Sequence, residues 1–450
     1  MPNQTKKICQ FINSYSFNRK DKKIISKVKL HLLDTLANIF AAKNYSFVQN
    51  AIKVLKYTHQ KKESSLLGFR QKVNFEEAAF VNAIQAHAFD FDDAHKFVHP
   101  GCVVIPTVLA LSEKFKISMN TFISAIVVGY EVAVRVALAA NVEHRNRGYH
   151  PTSTCGIFGA LAAAAKIMKL NKKQTESAIG LATSLASGIT TYRYDGSQNK
   201  HLHAGFAVKN AILACKLAKK NVVGASNSLE GKLGFLEIYS NHKNKNFLNK
   251  GLGKDFLFLT TDLKTYPSCR QTHGALDLCN EIIKDSNFNL KEIKKISIGI
   301  YSYAYKPFYI NKNIPGTELE AFLRIPYCVA ANLVYQKIDM NSFSRKARNN
   351  KSVQNLIKKI HIYPEKRFDK NWPDQRPVEI TVELKNKKIK KYTHNPLGSK
   401  DNPVSLGFYN KKFQDLLSIN CSQKKTSLIF NSVNKLDEIS VNKFLNNLNH

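Results

Sequence analysis

Residues 87–101 read HAFDFDDAHKFVHPG, which crowds three carboxylates (Asp90, Asp92, Asp93) and three imidazoles (His87, His95, His99) into one short stretch. Such a set can move protons, orient an acid or hold a metal. The helical pattern that starts at Phe75 runs out near Phe89, so Asp90 falls at a helix C-terminus. The macrodipole disfavours a carboxylate there, and a raised pKa suited to proton transfer is the expectation. Asp92 and Asp93 can equally cap the following turn. The stretch has no second acidic motif to face it, as a magnesium site would need, and it lacks the H-E-x-x-H spacing of zinc enzymes. No metal is expected.

Three further segments share one geometry. His99-Pro100-Gly101, Gly148-Tyr149-His150-Pro151-Thr152 and Gly196-Ser197-Gln198-Asn199-Lys200 each stand just before a helical pattern, with an imidazole or ammonium at its start. Free N–H groups and the positive dipole end favour anions at such places. If the three ends converge, they form a pocket for a small di- or tricarboxylate. A fifth segment, KTYPSCRQTHGALD (264–277), adds Lys264, Arg270 and His273 where the texture of the chain changes, and clefts form at such boundaries.

The elements that must position these groups are mainly helices. From Asp21 to about Leu236, stretches such as IISKVKLHLLDTLANIFAA, FEEAAFVNAIQAHAF, GIFGALAAAAKIMKL and LHAGFAVKNAILACKLAKK repeat at the helical period. Asn74 with Glu77, and Asn171 with Gln174, have capping-box spacing. Small residues at 156–165 permit close helix approach. Beyond about residue 265, KKISIGIYSYAY (294–305), IHIYP (360–364) and the pair VEITVEL and IKKYTH read as strands, interleaved with helices around 274–285 and 319–336. The chain then returns to helical patterns. We therefore expect a mainly α protein with a smaller α+β domain: an all-helical domain over 1–264, completed by 396–450, and an α+β lid over 265–395.

Composition narrows the function. The formal net charge is +35, yet only twelve of the 68 Lys and Arg residues are Arg, and the Lys excess runs along the whole length. That is a usage bias and not a phosphate-binding patch, so no nucleic-acid partner is expected. The longest apolar stretch, FISAIVVGYEVAVRVALAA, is broken by Glu131 and Arg135 and reads as a core helix, so no membrane partner is expected either. The N-terminus lacks an apolar signal core, which suggests the cytoplasm. Eight scattered cysteines without a C-x-x-C spacing argue against structural zinc or an iron–sulfur cluster.

Together the motifs resemble the MmgE/PrpD family of 2-methylcitrate dehydratases and cis-aconitate decarboxylases. The resemblance rests on LLDTLANIFAA, VNAIQAHAFDFDDAH, HPGCVVIPTVLALSE, HPTSTCGIFGALAAAAKIMKL, GSQNKHLHAGFAVKNA, KTYPSCRQTHGALD and IPYCVAANL, in that order. It implies a homodimeric, cofactor-free and metal-free lyase with Asp90, His99, His150, Lys200 and His273 as catalytic positions. Lys264, Arg270, His203 and Tyr327 are the expected substrate contacts. Proton transfer would fall to His150 and Asp90, and carboxylate binding to Lys200, His99 and His273. Three positions depart from the family pattern: Ala94 replaces the usual Thr after DFDD, Arg324 replaces a Ser before IPY, and Gly101 stands where decarboxylase-like members tend to have Ser. The rival readings are an isomerase or epimerase of a similar acid, a catalytically silent relative, and a basic nucleic-acid-binding protein.

Overall fold

The computed structural model describes residues 4–55, 61–240, 244–286 and 288–449. A first hydrophobic core joins residues from Ile8 to Leu263 with a return from Tyr409 to Leu448. Its central helices are Lys22–Ala41, Phe75–Ala86, Gly101–Phe115, Met119–Asn146, Gly156–Ile167 and Asn199–Lys219. Met119–Asn146 is long and apolar enough to span a membrane, but its most apolar stretch lies wholly inside the protein. Arg135 pairs with Glu131 within that helix at 3.0 Å and donates to the carbonyls of Lys250 and Asp255, so both charges are satisfied in the core. Small residues let the neighbouring helix approach closely. A Cβ on Gly159 would lie 2.6 Å from the Cβ of Ala133.

Local signals explain most helix starts. Asn171 and Gln174 form a reciprocal capping box. Asn74 instead accepts from the Glu76 N–H, and Glu77 turns outward to Lys209 at 2.7 Å. Within Met119–Asn146 the backbone breaks at Asn141 (φ 57°, ψ −165°), which redirects the last turn and the Arg145 it carries.

The second core is built on residues 266–389, with Tyr192 added from the helical domain. Its sheet has the order 360–364, 295–300, 378–383, 388–393; the first pair is parallel and the rest antiparallel. The expected hairpin is present, with Val378 opposite Thr393 and Glu383 opposite Lys388. Two expectations need correction. The strand expected over 294–305 ends at Ile300 and gives way to a 3-10 turn. The helix expected over 319–336 is two helices, Glu318–Leu323 and Ile325–Tyr335, separated by Arg324 in extended backbone (φ −86°, ψ 114°); Pro326, in the first turn of the second, has no N–H with which to continue a single helix. A small hairpin, 64–66 with 71–73, was not anticipated.

Candidate active site

The segment after Phe75–Ala86 folds as a turn-rich loop in which Asp90 adopts a left-handed backbone (φ 49°) and is 2% exposed. That conformation is costly for a residue with a Cβ and is held by its surroundings. Lys264 Nζ contacts Asp90 Oδ1 and donates to the Asp90 carbonyl at 2.7 Å, while Lys200 Nζ lies 3.4 Å from Oδ1. His99 Nε2 stands 3.9 Å away. The expected rise in the Asp90 pKa is therefore reversed. Burial pushes it up, but the ammonium groups of Lys200 and Lys264, with His99 and His87 beyond them, hold it far below the carboxylate range.

The three helix ends converge on one narrow cleft, which His99, His150 and Lys200 line together with Asp90, Ala94, Arg145, Tyr192, Arg193, Arg270 and Tyr309. Lys200 sits in the first turn of Asn199–Lys219, 3% exposed, and its Nζ makes no hydrogen bond among the described residues. His99 Nδ1 donates to the Asp93 carbonyl at 2.8 Å, which leaves Nε2 toward Asp90. His150 Nδ1 faces His203 Nδ1 at 3.0 Å, so His203 acts through His150. Burial, with His203, His87 and Lys200 nearby, keeps His150 neutral well below its ordinary pKa. His203 is likewise lowered to about 4.

Other expected residues stand elsewhere. His273 is fully buried behind Arg270: Arg270 Nη1 donates to its Nδ1 at 3.1 Å and its Nε2 donates to the Ser268 carbonyl. Burial and Arg270 lower its pKa strongly, so it is neutral and cannot supply the positive charge expected of it. Lys264 is also fully buried and spends its charge on Asp90. The Tyr327 hydroxyl donates to the Ser342 carbonyl at 2.5 Å, away from the cleft. Arg324 is tied to Glu320 and the Asn313 carbonyl inside the lid and adds no cation to the cleft. Ala94 does line it, so a hydroxyl is absent at that edge.

Residues not singled out from sequence complete the wall: Arg145, Arg193, Tyr192, Gln271 and Tyr309. Behind the site, Asp92 Oδ2 accepts from His87 Nδ1 at 2.9 Å, and Asp93 accepts from the Tyr130 hydroxyl and the Gly101 N–H. His87, Asp92 and His99 form the one trio among the described residues whose ligand atoms lie within 4.8 Å of one another. His87 Nδ1, Asp92 Oδ2 and His99 Nδ1 are engaged in the hydrogen bonds given above, an arrangement that orients imidazoles, while His87 Nε2 and Asp92 Oδ1 make no hydrogen bond among the described residues.

Sequence models of the MmgE/PrpD N-terminal domain and the MmgE/PrpD C-terminal domain match residues 6–248 and 266–436. A cis-aconitate decarboxylase-like protein of Aspergillus oryzae is 24% identical over 97% of this chain and 95% of its own length. The cis-aconitate decarboxylases of Mus musculus and Homo sapiens are 27% and 28% identical, over 85% and 81% of this chain and 80% and 77% of theirs.

Proposed function

The chain belongs to the MmgE/PrpD family, and on that premise we propose that it is a lyase of a small polycarboxylic acid. Loss of carbon dioxide from an unsaturated tricarboxylate such as cis-aconitate is the first reaction to test, because the similar proteins named above carry that activity in their names. The observation that carries the reading is the cleft itself. Five Lys and Arg side chains line it against one carboxylate, Asp90, with a neutral imidazole, His150, in the same wall.

In such a decarboxylation the carboxylate on the methylene carbon leaves as carbon dioxide. Its bonding pair forms the new double bond, and the old double bond takes up one proton at the carbon bearing the other terminal carboxylate. The step needs a proton donor at that carbon and fixed positive charge beside the carboxylate that becomes electron-rich. Lys200 supplies the charge, held in place by Asp90. In the His150–His203 contact one Nδ1 donates to the other. With His203 as donor, the His150 proton sits on Nε2, from which it can be delivered and later restored. Dehydration of a hydroxy acid would use the same groups, with the proton delivered to the departing hydroxide.

The test is purified protein with cis-aconitate and a panel of hydroxylated tricarboxylates in heavy water, followed by NMR, with one arm exhaustively chelated. We expect consumption of an acid with a single deuterium in the product and no effect of chelation. Deuterium exchange without loss of carbon dioxide or water would replace the lyase with an isomerase, and no reaction across the panel would sink the proposal.

A further inference from the structure

Two cations of the cleft have no carboxylate partner among the described residues. Lys200 shares Asp90 with Lys264, Arg270 pairs with Asp262 at 3.3 Å, and Lys96 pairs with Asp374. Arg145 and Arg193 form no ion pair among the described residues, although Arg193 is only 8% exposed. Arg193 Nη2 and Arg145 Nε are shielded from water and make no hydrogen bond among the described residues. A buried guanidinium nitrogen without an acceptor is costly, and a cleft lined by two such groups is built for an anion that completes them.

The lid holds these arginines by their faces. The Arg193 guanidinium lies 5.1 Å from the Phe308 ring centre, and that of Arg145 lies 5.7 Å from the Tyr303 ring centre. Arg145 Nη2 also reaches the Tyr309 hydroxyl at 3.5 Å. Stacking on aromatic rings fixes a planar guanidinium without neutralising it, and leaves its edge donors for a carboxylate. Residue usage points the same way. Arg is scarce in this chain, twelve against 56 Lys, yet three of the twelve line this cleft. A planar fork, unlike an ammonium, can engage a carboxylate through two parallel bonds.

From this geometry we infer that Arg145 and Arg193 form a separate carboxylate subsite on the lid side of the cleft, which selects an acid with a third carboxylate over one with two. The inference rests on the polycarboxylate reading above but concerns binding, so it is tested without turnover. Tricarballylate and glutarate share a five-carbon chain with two terminal carboxylates and differ only in the central carboxylate of the former; neither has a double bond or hydroxyl to react.

Calorimetric titration of the wild type, Arg145→Gln and Arg193→Gln with both acids gives the answer. The wild type is expected to bind tricarballylate at least about tenfold more tightly than glutarate, the scale of one charge-assisted carboxylate contact. Each variant should lose most of that preference while its glutarate affinity stays within about threefold, which also reports an intact pocket. An unchanged preference, or equal loss for both acids in a variant with a wild-type unfolding transition, overturns the inference. Should a Gln variant not fold, the corresponding Lys variant, which keeps the charge but not the fork, is read by the same criterion. Turnover of an acid with unchanged variant selectivity leaves the lyase reading and removes this one. Selective binding without turnover does the reverse, and a wild type that binds neither acid removes this inference and leaves the lyase reading to the turnover test.

Discussion

Asp90 shows how contact charge outweighs a dipole. Two unit charges about 4 Å apart interact by about 4 kcal/mol at an effective dielectric constant of about 20. The end of a helix macrodipole contributes only about 0.3–1 kcal/mol at ordinary sites. The Phe75–Ala86 helix also ends before Asp90, whereas Lys200 and Lys264 flank the carboxylate directly. On the lyase reading proposed above, Asp90 is an ionised anchor that aims Lys200, and the neutral imidazole of His150 is left for proton movement. Replacing Lys200 with Met should lower kcat/KM on the identified acid by about 100-fold or more, the scale of removing an electrostatic contact to developing charge. The unfolding transition should be retained. Kinetics within threefold of wild type would take Lys200 out of the chemistry.

The loop that carries Asp90 is set by elements distant in sequence. Lys412, on the C-terminal helix Leu406–Ser418, pairs with Asp34 at 2.5 Å and donates to the carbonyls of Phe91 and Lys264, both at 3.0 Å. One ammonium therefore ties the first long helix, the Asp90 loop and the Lys264 strand of chain together. Asp34 and Lys412 are both buried, so Lys412→Met strands a carboxylate without its cation, a loss of about 3–5 kcal/mol. A denaturant titration that shows an unchanged midpoint would refute that role. Gly101 has a related reason. A Cβ there would lie 2.8 Å from both Asp93 carboxylate oxygens and from the Tyr130 hydroxyl, so the Gly permits the bonds that brace the loop.

At the scale of the molecule, the cleft between the helical domain and the lid is nearly closed. A cavity of about 40 Å³ remains, enough for a water or two and too small for a tricarboxylate, so we expect residues 265–395 to shift when an acid binds, which a change in their hydrogen exchange on adding the ligand would report. Buried histidines also set the acid stability of the whole fold. Burial lowers His87, His144 and His203 to about 4 and His95 and His201 to about 3, below the ordinary 6.5. Between pH 4 and 6.5 these groups bind protons in the unfolded chain and not in the native one, so their stabilisation is complete above 6.5 and is lost as pH falls through that window. Asp34 and Asp277, raised by burial to about 7 and about 6, act in the opposite sense but are fewer. The melting temperature should therefore be lower at pH 5 than at pH 7.5, and an equal or higher value at pH 5 would contradict the balance.

The amino-acid sequence by itself determined the mainly α class with its α+β part, because helical periodicity, capping residues and strand alternation are local properties of a few neighbouring positions. It also placed His99, His150 and Lys200 at helix starts, since a break in an apolar pattern is visible without coordinates. Tertiary structure alone decided what those groups do. That Asp90 meets two lysines from residues 200 and 264, that His273 is a neutral support for Arg270, and that Tyr327 turns away to Ser342 all depend on distances between segments remote in the chain. Arg145 and Arg193 carried only a compositional hint, as rare arginines in a lysine-rich chain. Their convergence follows from the break at Asn141 and the aromatic face of the lid, and no spacing in the sequence encodes that meeting.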